Sequence, residues 1–168
     1  MGTRGIELLG GNVDEIKKLL EKAFADEWLA YYQYWVGAKL AMGPMREGVV
    51  AELTQHAADE LRHAQMVADR LIQIGGTPAT APDKWYDLTN CKYEAPDDPY
   101  VRVLLDQNIR AEQCAIDVYK NLMDVTKEKD FATYDAALEI LKDELEHEED
   151  LQALLEDMNA MTAREMKK

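Results

Sequence analysis

The 168-residue chain is long enough for one domain with a sizeable core. Its formal charge of -14 argues against nucleic acid or an anionic membrane as partner, and by itself it reads as a well-solvated surface that also attracts cations. Scarce glycine and proline, against abundant leucine, alanine and glutamate, point to an all-α chain. No apolar run reaches the length of a membrane span, and Met1-Gly2-Thr3-Arg4-Gly5 lacks the apolar segment of a signal peptide. The expected location is cytoplasmic.

In chain order, residues 1–11 read as a short, glycine-marked N-terminal arm. Asn12 or Asp14 can cap a first helix over about 13–42, with an apolar stripe through Ile16, Leu19, Leu20, Phe24 and Leu29. The rings of Trp28, Tyr31, Tyr32, Tyr34 and Trp35 widen the buried face, as expected either where a helix meets neighbours inside the fold and across a subunit boundary or from core packing alone. Gly43-Pro44 breaks this helix, and Pro44 suits the first turn of a second over about 44–74, stopped by Gly75-Gly76. So short a break makes the two antiparallel neighbours.

Residues 75–97 show little periodicity beyond Trp85-Tyr86-Asp87-Leu88, and Pro78, Pro82, Pro96 and Pro99 fall in or beside them. A link of this length inside one domain reads as a crossover. A third helix over about 98–127 and a fourth over about 130–158 follow, joined tightly through Lys127-Glu128-Lys129. The residues from Met161 onward are polar and too few for another packed helix. The fold class is thus a single all-α domain over 1–168, a four-helix bundle of two antiparallel hairpins joined by one long crossover.

The chemistry lies in a duplicated pattern. Glu60-Leu61-Arg62-His63 on the second helix and Glu144-Leu145-Glu146-His147 on the fourth each put a glutamate and a histidine three apart, on one helix face. Glu27 precedes Glu60 by thirty-three residues, and Glu112 precedes Glu144 by thirty-two. Each half therefore offers a lone glutamate followed by Glu-x-x-His. Glu27 and Glu112 both sit among apolar residues, which argues against a solvated surface role. Four carboxylates and two imidazoles suit two iron or manganese ions better than copper or a thiolate metal, and their charge balances two divalent cations. One glutamate from each of two helices plus Glu-x-x-His from the other two is the ligand set of ferritin-like two-metal bundles.

Tyr34 and Tyr119 each follow a lone glutamate by seven residues, so each hydroxyl is expected to bond a ligand carboxylate of the opposite half, or else to be a buried tyrosine satisfied elsewhere. His56 precedes Glu60 by four and stays outside the ligand set, either along the same channel or as a neighbouring core or surface histidine. Cys91 and Cys114 are not spaced like zinc ligands, and both a disulfide and free thiols stay open.

The chain resembles the Dps-like (thioferritin) branch of the ferritin superfamily over nearly its whole length. The carrying stretches are Glu27-Trp28-Leu29-Ala30-Tyr31-Tyr32-Gln33-Tyr34-Trp35, Asn90-Cys91-Lys92-Tyr93, Ala111-Glu112-Gln113-Cys114-Ala115-Ile116 and Glu144-Leu145-Glu146-His147-Glu148. The resemblance implies a ferritin-like bundle, twelve subunits in a hollow shell and a di-iron centre within each subunit. It also implies ferroxidase activity, with Fe(II) oxidised preferably by hydrogen peroxide and ferric iron stored. By position, the implied ligands are Glu27, Glu60, His63, Glu112, Glu144 and His147, and Cys91 with Cys114 match the branch's redox cysteine pair. Leu61 stands where bacterioferritins carry their haem methionine, so no haem is expected. A tail of only Lys167-Lys168 on an acidic body argues against DNA binding. Competing readings are a rubrerythrin-like di-iron peroxidase without storage, for whose four-cysteine iron domain two cysteines are too few, and a non-catalytic helical-bundle interaction protein. Manganese in place of iron stays open.

Overall fold

The computed structural model describes residues 3–9 and 12–165. Gly10, Gly11 and Lys167-Lys168, used above for the arm and the tail, lie outside the described residues. Among the described residues six α-helices follow one another: α1 Thr3–Leu9, α2 Val13–Leu40, α3 Arg46–Gln73, α4 Trp85–Leu88, α5 Val101–Thr126 and α6 Phe131–Glu165. Helices α2 and α3 form one hairpin and α5 and α6 the other, with the crossover between them. This is the all-α four-helix bundle expected from the sequence. Among the described residues no helix is long and apolar enough to cross a membrane.

Several details differ from the sequence reading. The arm contains a helix, α1, whose Leu9 is buried against the core. Asn12 occupies the N-cap position of α2 but makes no side-chain capping bond. Pro44 lies in the link rather than in a first helical turn, because α3 begins at Arg46 after Met45 takes a left-handed conformation (φ 58°). That link is pinned to the start of α5: the Met42 amide donates to the Pro99 carbonyl at 2.9 Å, and the Val101 amide donates to the Met42 carbonyl at 2.9 Å. Gly43 (φ 123°) fits there because a Cβ would come within 2.9 Å of the Tyr100 ring. Helix α6 continues beyond Met158 to Glu165. Its buried stripe ends at Met158, but nothing in residues 159–165 breaks a helix, and they extend it as an exposed end.

The apolar core comes in two parts. One contains Ile16, Leu20, Leu71, Ile74, Leu122 and Ile140. The other contains Ala38, Leu53, Leu104, Leu105, Leu151 and Met158. On every long helix the stretch between them carries the acids and histidines of the duplicated pattern, all buried. The bundle is therefore apolar at both ends with a charged belt at mid-height.

The crossover is tied to α2 along its length. Trp85 of α4 stacks on Trp28 with ring centroids 5.3 Å apart. Asp26 accepts from the Thr89 hydroxyl at 2.5 Å and from the Asn90 and Cys91 amides at 2.7 and 3.0 Å. Gln33 accepts from the Glu94 amide at 3.0 Å and donates to Asn108 of α5 at 3.0 Å. These bonds satisfy the backbone of residues 89–94, the part of the crossover beyond α4 that has no helix or sheet of its own.

Candidate metal centre

The i, i+3 spacing of Glu60 and His63 on α3, and of Glu144 and His147 on α6, aims both pairs into the bundle, where Glu27 of α2 and Glu112 of α5 face them. His63 Nδ1 lies 3.5 Å from Glu27 Oε2, 3.4 Å from Glu60 Oε2 and 3.2 Å from Glu144 Oε1. His147 Nδ1 lies 3.5 Å from Glu60 Oε1, 3.9 Å from Glu112 Oε2 and 3.5 Å from Glu144 Oε2. Two four-residue groups result, Glu27, Glu60, His63, Glu144 and Glu60, Glu112, Glu144, His147. They share Glu60 and Glu144, and each shared carboxylate gives one oxygen to each side. The six sequence-selected residues thus lie together, with Glu60 and Glu144 common to both groups.

Burial makes this cluster expensive unless something balances its charge. Glu27 Oε2, Glu60 Oε1, both Glu144 oxygens and His147 Nδ1 are buried with no hydrogen-bond partner. Desolvation pushes the Glu27 and Glu112 carboxyls well above the usual carboxylate range, and the charges of Glu60 and Glu144 push the same way. Burial would also raise Glu60 and Glu144, but the facing imidazoles of His147 and His63 outweigh it and hold both below that range. Burial would lower both histidines. Their carboxylate partners win, driving His63 strongly upward and His147 up to about 10. Protons thus balance the cluster where two divalent cations would do so better, and orphaned oxygens beside imidazole nitrogens are a donor set that fits iron or manganese.

Tyr34 donates to Glu112 Oε1, and Tyr119 donates to Glu27 Oε1, each across the bundle to the opposite half. Both rings are buried and leave the second oxygen of each glutamate aimed inward. Two residues that the sequence reading missed act on the histidines from outside. Asp143 Oδ2 lies 3.1 Å from His63 Nε2, and Asp59 Oδ2 lies 3.5 Å from His147 Nε2. A carboxylate on Nε2 favours the tautomer whose Nδ1 lone pair points into the cluster. The signal was in the chain, since Asp59-Glu60 and Asp143-Glu144 make the repeat Asp-Glu-Leu-x-His. Arg62 bonds Asp143 and, at 3.2 Å, Glu139, which holds the carboxylate in place.

Toward the crossover, a cavity of about 20 Å³ is lined by Glu27, Glu60, Glu112 and Glu144 on its inner side and by Cys91 and Lys92 on its outer side. That is room for about one water-sized molecule. Cys91 and Cys114 are joined in a disulfide with Cα atoms 5.6 Å apart, which resolves the alternatives left open by spacing alone. The bond fastens the crossover to α5 two residues beyond Glu112.

His56 is no peripheral histidine. It is fully buried, and its ring stacks on His147 with centroids 4.0 Å apart. Burial, reinforced by the neighbouring His147, lowers its pKa to about 3, so it is a neutral imidazole.

A sequence model for the ferritin-like domain matches residues 17–161. The chain belongs to the ferritin-like family. A curated relative, the DNA protection during starvation protein of Pyrococcus furiosus, is 31% identical over 153 residues, covering 90% of this chain and 83% of that protein. Among solved structures, the dodecameric thioferritin of Bacteroides fragilis is 42% identical with a TM-score of 0.95, covering 97% of this chain and 98% of that one. A ferritin-like diiron-carboxylate protein of Bacillus anthracis is 25% identical with a TM-score of 0.74, covering 87% and 99%. Within the ferritin-like family, then, the chain is similar to Dps-like and thioferritin proteins, in line with the resemblance carried by its motifs.

Proposed function

We propose that this ferritin-like chain is a ferroxidase that oxidises Fe(II) at a two-iron centre within the subunit, preferably with hydrogen peroxide. The ferric product is stored in a hollow homo-oligomeric shell of twelve subunits, which protects the cell from iron-driven oxidative damage. The observation that carries the reading is the pair of four-residue groups sharing Glu60 and Glu144, with buried orphan oxygens pointing between them. Similarity to a diiron-carboxylate protein and to a dodecameric thioferritin supports iron and the shell respectively.

Fe(II) is the substrate, and two of them together supply the two electrons that reduce one peroxide, with two protons, to two waters. Glu27 and His63 hold one side, Glu112 and His147 the other, and Glu60 and Glu144 bridge them. Tyr34 and Tyr119 keep the terminal glutamates from rotating. The water-sized cavity beside Cys91 admits a small oxidant while the crossover keeps larger molecules away. Holding two reducing ions together favours a paired two-electron step over the one-electron reaction that releases hydroxyl radical. The disulfide serves as a redox pair: two equivalents of a cellular thiol reduce it to the dithiol and leave as their own disulfide, and the dithiol, in closing again, gives one electron to each of two ferric ions and releases two protons.

The test is anaerobic Fe(II) loading followed by peroxide, on wild type and on the Glu60→Ala/Glu144→Ala variant. Wild type is expected to bind two Fe(II) per subunit at the cluster and to consume one peroxide for these two Fe(II), and the variant to lose both. Peroxide-dependent oxidation at the wild-type rate in the variant would remove the centre from consideration.

A further inference from the structure

We infer that Glu52, His56 and Asp150 form an accessory divalent-cation site beside the two-metal cluster, suited to a first-row ion such as Fe(II), Mn(II) or Co(II). Glu52 and His56 lie four apart on one face of α3, and Asp150 faces them from α6. His56 Nε2 is 3.8 Å from Glu52 Oε2 and 3.8 Å from Asp150 Oδ2, too far for a hydrogen bond to either. A cation with bonds of about 2.1 Å spaces its donors roughly 3–4 Å apart, so these separations suit a shared ion. Donor atoms of all three residues lie within 4.8 Å of one another. The carboxylate side chains, 35% and 43% exposed, are free to close the remainder.

The second observation is the histidine itself. His56 is fully buried, and neither ring nitrogen has a hydrogen-bond partner. A buried imidazole with an unmet nitrogen aimed at two carboxylates lacks what a cation would provide. A nitrogen and two carboxylate oxygens are a mixed donor set that suits iron, manganese or cobalt, not copper(I). Ions have a way in: Asp150 also lines an acidic pocket of about 190 Å³ between α3 and α6, with Asp59, Asp143, Glu146 and His147. With His56 stacked on His147, an ion here waits one imidazole away from the cluster. Binding at this site stands on its own residues, whereas its role as a waiting place for Fe(II) rests on the function proposed above.

The experiment uses chelator-stripped full-length protein, Co(II) as probe, and the Glu52→Gln/Asp150→Asn variant alongside wild type. Both substitutions are at partly exposed positions and leave the six-residue cluster and His56 in place. Wild type is expected to bind one Co(II) per subunit more than the variant, and cobalt anomalous scattering is expected to place it within bonding distance of His56 Nε2. His56→Leu, checked for unchanged helicity by circular dichroism, is expected to lose the same ion. Equal stoichiometry in wild type and E52Q/D150N, or no anomalous peak at His56, overturns the site. If the cluster ions are absent from both proteins while wild type keeps the His56 ion, the site stands and the two-metal reading falls.

Discussion

At the level of single residues, burial sets a competition between protons and cations. Glu27, Glu112, His63 and His147 all have pKa values raised by their surroundings, His147 to about 10, so near neutrality the metal-free cluster carries protons on groups that must ligate unprotonated. Raising the pH removes the competitor, so affinity should rise with pH. Anaerobic Fe(II) titration in weak buffer at pH 7 should release at least about one proton per ion, and the apparent affinity at pH 8 should exceed that at pH 6 by about tenfold or more. Affinity that is flat or falls with pH would contradict this protonation scheme. The tyrosines give a separate test. Tyr119→Phe removes the donor that holds Glu27, and loss of such an outer contact typically weakens metal affinity by about 10–100-fold. Calorimetric titration with Co(II) should show one of the two cluster ions weakened and the other retained.

At the level of elements, two fastenings hold the parts that present the site. Asp130 caps α6 by accepting from the Thr133 amide at 3.1 Å, and it also receives both bonds of the Arg70 Nη2 fork arm at 2.8 Å, which ties the start of α6 to the end of α3. Asp130→Ala loses the cap and takes the carboxylate from a mostly buried guanidinium that keeps only Thr133 and Gln73 as partners, a destabilisation of about 2 kcal/mol read as a lower urea midpoint. An unchanged midpoint would show the fastening to be idle. The Cys91–Cys114 disulfide closes a loop of 23 residues, for which loop-closure entropy gives about 3 kcal/mol. The four long helices were legible because Leu20, Leu53, Leu105 and Leu151 recur with their neighbours at helical spacing, and the glutamates and histidines because the pattern occurs twice. The crossover's anchorage was not, since Asp26 and Gln33 act through backbone amides of residues 90, 91 and 94, and no periodicity marks such bonds. His56 is the core histidine among the alternatives that the sequence left open, and its lack of a second copy in the other half is why the repeat gives it no place beside His147. Asp59 and Asp143 are part of the repeat, but the three-residue ligand spacing does not mark them.

At the level of the whole molecule, the acidic surface carries a feature a monomer would not need. Tyr32, Trp35 and Tyr86 are 48%, 43% and 61% exposed, and Tyr93 joins them: the rings of Tyr32 and Trp35 stack at 6.0 Å, and Tyr93 lies 6.2 Å from both Tyr32 and Tyr86. Four neighbouring rings contributed by α2 and the crossover make an aromatic patch of the kind that marks an association surface. Coulomb repulsion among copies carrying -14 each opposes assembly, so contacts of this apolar kind must outweigh it, and they are insensitive to screening where the repulsion is not. A twelve-subunit shell of this 19.1 kDa chain should therefore appear by light scattering as one particle of about 230 kDa, and it should persist or sharpen as salt is raised. Trp35→Glu places a charge in the patch without touching the cluster, so it should shift the particle to smaller species while leaving the two cluster cations bound in each subunit. Storage needs an enclosed volume and oxidation does not, so the same variant should still consume peroxide with Fe(II) but let ferric iron precipitate outside the protein. A wild-type particle near 19 kDa, or a variant that retains soluble ferric iron as well as wild type does, would separate the chemistry of this chain from any shell.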